Sequence, residues 1–189
     1  LNEAIRCFIA IDIDQEKILE KILIVQKALE KSNADLKLVE AQNIHITLKF
    51  LGEIKEEKVN KVVEVMKILQ FKPFKINLKG LGAFPTINYP RVLWISIANG
   101  FNEASSIFNQ LEEKLIKLGF PKEERGFSPH ITIARVKSGR GRNELIKVLQ
   151  EFKNEEFGEM MVESVKLKRS ILTSKGPIYS TIFEVKSSF

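Results

Sequence analysis

The sequence contains two histidines, and both stand in the same short frame: Ile44-His45-Ile46-Thr47-Leu48 and Pro129-His130-Ile131-Thr132-Ile133. Apolar and polar residues alternate through each frame, the period of a half-buried strand. His45 and Thr47 then share one face while Ile44, Ile46 and Leu48 turn to the core, and His130 and Thr132 do the same against Ile131 and Ile133. An imidazole gives or takes a proton near neutral pH, so two of them supply both an acid and a base. A hydroxyl two residues on adds a neutral hydrogen-bond donor to each.

The elements that must hold these groups repeat as well. Arg6-Cys7-Phe8-Ile9-Ala10-Ile11 and Arg91-Val92-Leu93-Trp94-Ile95-Ser96-Ile97 are apolar strands opening on arginine, and 39 positions separate each arginine from its histidine. Each opening strand is followed by a helical pattern, the histidine strand and a second helical pattern, the mark of an internal duplication. Strands are expected at 5–12, 36–39, 44–51, 73–80, 91–97, 130–136, 162–173 and 178–186. Helices are expected from an Asp14 N-cap through Lys31, at 56–69, at 102–118 with Gly119 as its C-cap, and at 143–152. Gly52 should end the first histidine strand, and Gly82–Pro90 reads as a proline-bearing loop. The expected fold is α+β and bilobal: antiparallel sheets backed by helices, related by a pseudo-twofold axis around a central cleft. Residues 1–189 are read as one domain of two similar lobes, each giving one His-x-Thr strand.

The chain has 189 residues and a net charge of +6, which suits one domain and favours polyanionic partners. No apolar run is long enough to span a bilayer. Residues 1–13 lack the basic segment, long apolar run and small-residue cleavage site of a secretory signal, and a lone cysteine, which can form no internal disulfide, makes a reducing cytoplasm the expected compartment. The single cysteine, Cys7, lies in an apolar strand and is expected to be a buried core residue rather than a nucleophile. Metal catalysis is not expected, because zinc takes three or four protein ligands and no His-Glu-x-x-His or Cys-x-x-Cys occurs. A serine nucleophile is not expected either, since no Gly-x-Ser-x-Gly elbow is present. The run Lys137-Ser138-Gly139-Arg140-Gly141-Arg142 is not a phosphate-binding P-loop; it is either a solvated turn or a contact for RNA phosphates through Arg140 and Arg142. Arg135 could meet a phosphate bidentately, or lie in a surface salt bridge. Phe84, Tyr89 and Phe127 could stack a base or anchor their loops.

Paired frames of this kind, His45-Ile46-Thr47-Leu48 and His130-Ile131-Thr132-Ile133, resemble the 2H phosphoesterase superfamily. Arg6–Asp12, His45–Gly52, Gly82-Ala83-Phe84-Pro85, Pro90–Trp94, Pro129–Arg135 and Gly176-Pro177-Ile178-Tyr179 narrow the likeness. They are similar to the bacterial and archaeal 2′-5′ RNA ligase family, also described as RNA 2′,3′-cyclic phosphodiesterases. The resemblance implies both frames in a central cleft with no metal or cofactor, His45 as proton donor, His130 as proton acceptor, and Thr47 and Thr132 on the phosphate oxygens. The implied reaction opens a 2′,3′-cyclic phosphate RNA end to a 2′-phosphate in a monomeric enzyme; run backwards with an RNA 5′-hydroxyl, it forms a 2′-5′ linkage. Two other functions fit the same residues: a non-catalytic module that binds a nucleotide or RNA end, and a phosphodiesterase for another small cyclic nucleotide. Product formation from a cyclic-phosphate oligonucleotide separates the first from an enzyme, and comparison of mononucleotide with oligonucleotide substrates separates the second.

Overall fold

The computed structural model describes residues 4–188, so the part of the signal-peptide expectation that falls on residues 1–3 lies outside the described residues. Along the chain run β1 (Ile5–Asp12), α1 (Glu16–Glu30), β2 (Leu36–Leu38), a 3₁₀ turn (Ala41–Asn43), β3 (His45–Ile54), α2 (Glu56–Lys67) and β4 (Phe74–Thr86). Then follow β5 (Tyr89–Asn99), α3 (Phe101–Lys117), β6 (His130–Val136), α4 (Arg142–Glu151), β7 (Glu156–Val162), β8 (Ser164–Thr173) and β9 (Gly176–Lys186). The strands form one antiparallel sheet ordered β7-β4-β5-β6-β3-β1-β8-β9, with β2 paired to β6. The fold is therefore α+β.

The two histidine strands are the centre of this sheet. β3 and β6 are bridged at Ile46 and Ile131, and both isoleucines are fully buried. α3 lies against β3 and α1 against β6. The helices bury stripes spaced for one face, Ile18, Ile22, Val25 and Leu29 in α1 and Ala104, Ile107, Phe108, Leu111 and Leu115 in α3. These join Ile46 and Ile131 in a continuous core. The chain crosses between the two sides of the sheet: β1, β8 and β9 extend it beyond β3, while β5, β4 and β7 extend it beyond β6.

Several local expectations are corrected. Gln15, not Asp14, is the N-cap of α1, and it makes no side-chain cap bond. Leu23, apolar and within α1, lies off its buried stripe and is half exposed. Gly52 does not end β3: at φ +73° it lies inside the strand, where the register against β1 jumps from Gly52 to Phe50. A bulge needs such a conformation, and glycine adopts it without a Cβ penalty. Gly82–Pro90 is not a loop but the end of a hairpin closed by Ile87 and Asn88, in which Pro85 and Pro90 pair with each other near the tip. β7 is absent from the expected strands, because Phe157 and Val162 are its only buried side chains and Glu156, Gly158 and Glu159 interrupt its apolar pattern. It is an edge strand whose Glu159 and Glu156 pair with Lys75 and Lys79 on β4 at 3.1 and 2.7 Å.

Candidate active site

The bridge between Ile46 and Ile131 fixes the geometry of the site. Side chains next to a core-facing residue point to the opposite face, so His45, Thr47, His130 and Thr132 all leave the sheet on the side away from the helices. Continuing the antiparallel register by one residue each way sets His45 across from Thr132 and Thr47 across from His130. The four groups thus form a square with the imidazoles on one diagonal and the hydroxyls on the other. Diagonal neighbours of this kind lie about 7–8 Å apart, with their Cβ atoms somewhat closer. All four line one cleft of about 650 Å³.

Both imidazoles are oriented by the same device. Nδ1 of His45 donates to the Asn43 carbonyl at 2.7 Å, and Nδ1 of His130 donates to the Ser128 carbonyl at 2.8 Å. With Nδ1 protonated, the Nε2 atoms are the ones left for chemistry. Nε2 of His45 accepts the Thr47 hydroxyl at 2.9 Å. Burial pushes the His45 imidazole below its ordinary value of 6.5, only partly offset by the Asn43 carbonyl and the Asp12 carboxylate. In the free protein His45 is therefore neutral at neutral pH.

Each histidine has an aromatic wall. Phe8 and Tyr179 lie 5.0 and 5.5 Å from the His45 ring, and Phe84 lies edge-on to His130 at 5.0 Å, backed by Trp94. Trp94 fits there because Gly82 beneath it has no side chain: a Cβ would meet the indole at 2.6 Å. Four cations, Arg6, Lys37, Arg135 and Lys175, line the cleft against one acid, Glu40. Of the residues singled out from sequence, the cleft brings together His45, His130, Thr47, Thr132, Arg135 and Phe84. Arg140 and Arg142 lie outside its lining: Arg140 Nε donates to the Asn33 carbonyl at 3.2 Å, and the Arg142 guanidinium sits 4.9 Å over the Tyr89 ring. Phe127 stacks on Phe108 at 4.7 Å and anchors the segment that leads to His130. Cys7 is buried, which pushes its thiol up to about 11 against a smaller opposing effect of Arg169.

Sequence reasoning gives no role to three residues that shape this site. Tyr179 lies in a segment that carries the family resemblance, but nothing local connects it to a histidine 134 positions earlier. Asn43 serves twice, its carbonyl orienting His45 and its side chain donating to the Pro177 carbonyl at 3.0 Å, which holds the β8–β9 turn against the cleft. Gln26, buried on α1, donates to the carbonyls of Val39 and Ile133 at 2.8 and 2.9 Å and so fixes β6 directly after Thr132. A glutamine within a helical pattern carries no signal of that contact. Among the described residues no three His, Cys, Asp or Glu side chains gather as a metal site, and no helix is long and apolar enough to cross a membrane.

Two His-x-Thr strands side by side at the centre of an antiparallel α+β sheet define a two-histidine phosphoesterase. The chain belongs to the family described as the AKAP7 2′5′ RNA ligase-like domain, which matches residues 7–186. It is 44% identical over 179 residues to the RNA 2′,3′-cyclic phosphodiesterase of Methanocaldococcus jannaschii, covering 95% of this chain and 99% of that one. It is 42% identical over 177 residues to the protein of the same name from Archaeoglobus fulgidus, covering 94% and 97%. A crystal structure from Thermus thermophilus superposes with a TM-score of 0.79 at 28% identity, over 96% of this chain and 97% of that one.

Proposed function

We propose that this protein is an RNA 2′,3′-cyclic phosphodiesterase that opens a cyclic phosphate end to a 2′-phosphate by acid–base catalysis between His45 and His130. The observation that carries the reading is that both His-x-Thr pairs flank the Ile46–Ile131 bridge and line one cleft. An in-line displacement needs a base behind the attacking water and an acid at the leaving oxygen, on opposite sides of phosphorus. Imidazoles on one diagonal meet that need, and hydroxyls on the other diagonal reach the non-bridging oxygens. The names of the 44% and 42% identical relatives agree with it.

In this mechanism Nε2 of His130 takes a proton from water as the water oxygen bonds to phosphorus. The bond from phosphorus to O3′ breaks, and Nε2–H of His45 delivers its proton to that oxygen. The product carries a 2′-phosphate and a free 3′-hydroxyl. Thr47 and Thr132 donate to the non-bridging oxygens, where charge gathers in the transition state. Thr47 turns its hydroxyl from His45 to the phosphate as the substrate arrives, which frees Nε2 of His45. With an RNA 5′-hydroxyl as acceptor instead of water, the reverse reaction joins two ends through a 2′-5′ linkage. Arg135 and Phe84 hold the phosphate and base of the terminal nucleotide, while Arg140 and Arg142 can meet only more distant phosphates. The site is the cleft between two lobes of one domain, each lobe supplying one His-x-Thr strand, and the protein works as a cytoplasmic monomer.

The resting state of His45 has a kinetic consequence. The acid must be protonated, so activity falls as pH rises through its midpoint. In the free enzyme burial holds that midpoint below 6.5, whereas a bound phosphodiester anion favours the imidazolium. The alkaline limb of kcat, which reports the loaded enzyme, is expected at higher pH than that of kcat/KM, which reports the free enzyme. Coincident limbs across a pH series would count against His45 as the acid.

The reading is tested by incubating the protein in excess EDTA with an oligonucleotide ending in a 2′,3′-cyclic phosphate. Multiple turnovers to a phosphomonoester are expected, since proton transfer between two imidazoles needs no metal. Stoichiometric binding without product would make the protein a binding module, and turnover confined to mononucleotides would make another cyclic nucleotide the substrate.

A further inference from the structure

We propose that Asp12, clamped between Lys166 and Lys168, is a positioning residue for proton donation: it is the counter-ion that favours the protonated form of His45 when the cleft is loaded. The inference rests on the assignment of His45 as the acid. Asp12 on β1 is the direct cross-strand partner of His45 on β3, and direct partners share a face with Cβ atoms about 4.5–5.5 Å apart. The carboxylate does not touch the imidazole, whose nitrogens are engaged by Asn43 and Thr47. Both of its oxygens are held from β8 instead: Oδ1 accepts from Lys168 at 2.7 Å and Oδ2 from Lys166 at 2.9 Å. Lys168 is buried, and a buried ammonium requires a partner. The clamp keeps the carboxylate ionised and fixed, so that it acts on His45 through its field.

The contrast with His130 singles Asp12 out. The two histidines are oriented alike, yet the direct partner of His130 on β5 is the neutral Ser96. Only the histidine assigned as acid faces a carboxylate across the ladder. The other charges around His45 do not supply this effect: Arg6 on β1, Arg135 on β6, Lys37 on β2 and Lys175 before β9 are cations, as is protonated His130, while the acid Glu40 sits at the cleft wall beside Gln42. Tyr179 on β9 stays neutral, its hydroxyl pushed up by burial. Asp12 favours the imidazolium and outweighs the opposing Lys168.

With two imidazoles in the chain, both can be titrated by nitrogen NMR in phosphate-free buffer, with His130 as reference and check of folding. In Asp12→Asn the His45 midpoint is expected to fall by about one pH unit, with the alkaline limb of kcat moving down beside it. In Lys168→Gln, whose amide can still donate to Asp12, the midpoint is expected to rise. His130 should hold its position in both. Should Asp12→Asn fail to fold, Lys168→Gln decides alone. Unmoved His45 midpoints in folded variants would overturn the proposal, as would a shifted midpoint with an unshifted kcat limb. Wild-type turnover in His45→Ala would instead overturn the acid assignment beneath it.

Discussion

Alanine at His45 or at His130 is expected to lower turnover of a 2′,3′-cyclic phosphate end by about 10²–10⁴-fold while affinity for the RNA end changes little. In the proposed mechanism the imidazoles act on protons in the transition state, whereas Arg135, Phe84 and the cationic wall are assigned to holding the substrate in its ground state. The two losses should differ in kind. A p-nitrophenyl leaving group departs without a proton, so His45→Ala should regain most of its activity on a nucleoside p-nitrophenyl phosphodiester and His130→Ala should not. Threonine-to-alanine changes at Thr47 and Thr132 should cost less, since one neutral hydrogen bond is worth about 1 kcal/mol. Equal rescue of both histidine variants would remove the distinction between acid and base.

The largest effect on stability is expected at Lys49. It follows Thr47 on β3 by two residues, yet a bulge against β1 between Ile9 and Ala10 turns it to the interior. There its ammonium meets Glu112 of α3 at 2.7 Å and donates to the Pro121 carbonyl at 2.8 Å, with the two side chains 7% and 10% exposed. Glu112 also accepts from the backbone N–H of Glu123, so the pair fastens the segment between α3 and β6 whose Ser128 carbonyl orients His130. Lys49→Met leaves a carboxylate buried without its cation and should destabilise by about 3–5 kcal/mol in denaturant titrations. Adding Glu112→Leu should restore much of that loss. A single variant as stable as wild type would show that water reaches the carboxylate.

The gathering of His45, Thr47, His130 and Thr132 in one cleft is legible in sequence because they sit in two local frames. His45 and Thr47, like His130 and Thr132, are two residues apart on regular strands, and alternation alone assigns their face. The extended ends of β4 and β5 are hidden by Pro85 and Pro90, which read as loop punctuation until their pairing at a hairpin end is seen. β7 is hidden because an edge strand can carry charge where a central strand cannot. Gln26 and Tyr179 have no role assignable from sequence, since each meets the site through a partner far along the chain, and the pairing of Asp12 with His45 depends on a register that only the sheet reveals. Lys49 shows the same limit: period-2 alternation puts it on the wrong side of the neighbouring bulge.

The most direct test of the account is the identity of the product. An oligonucleotide with a 2′,3′-cyclic phosphate end, treated with the wild-type protein and followed by phosphorus NMR, is predicted to give a single 2′-phosphomonoester. Neither His45→Ala nor His130→Ala should form it at a comparable rate. A 3′-phosphate as the main product, or a 2′-phosphate formed at the wild-type rate by either histidine variant, would contradict the account.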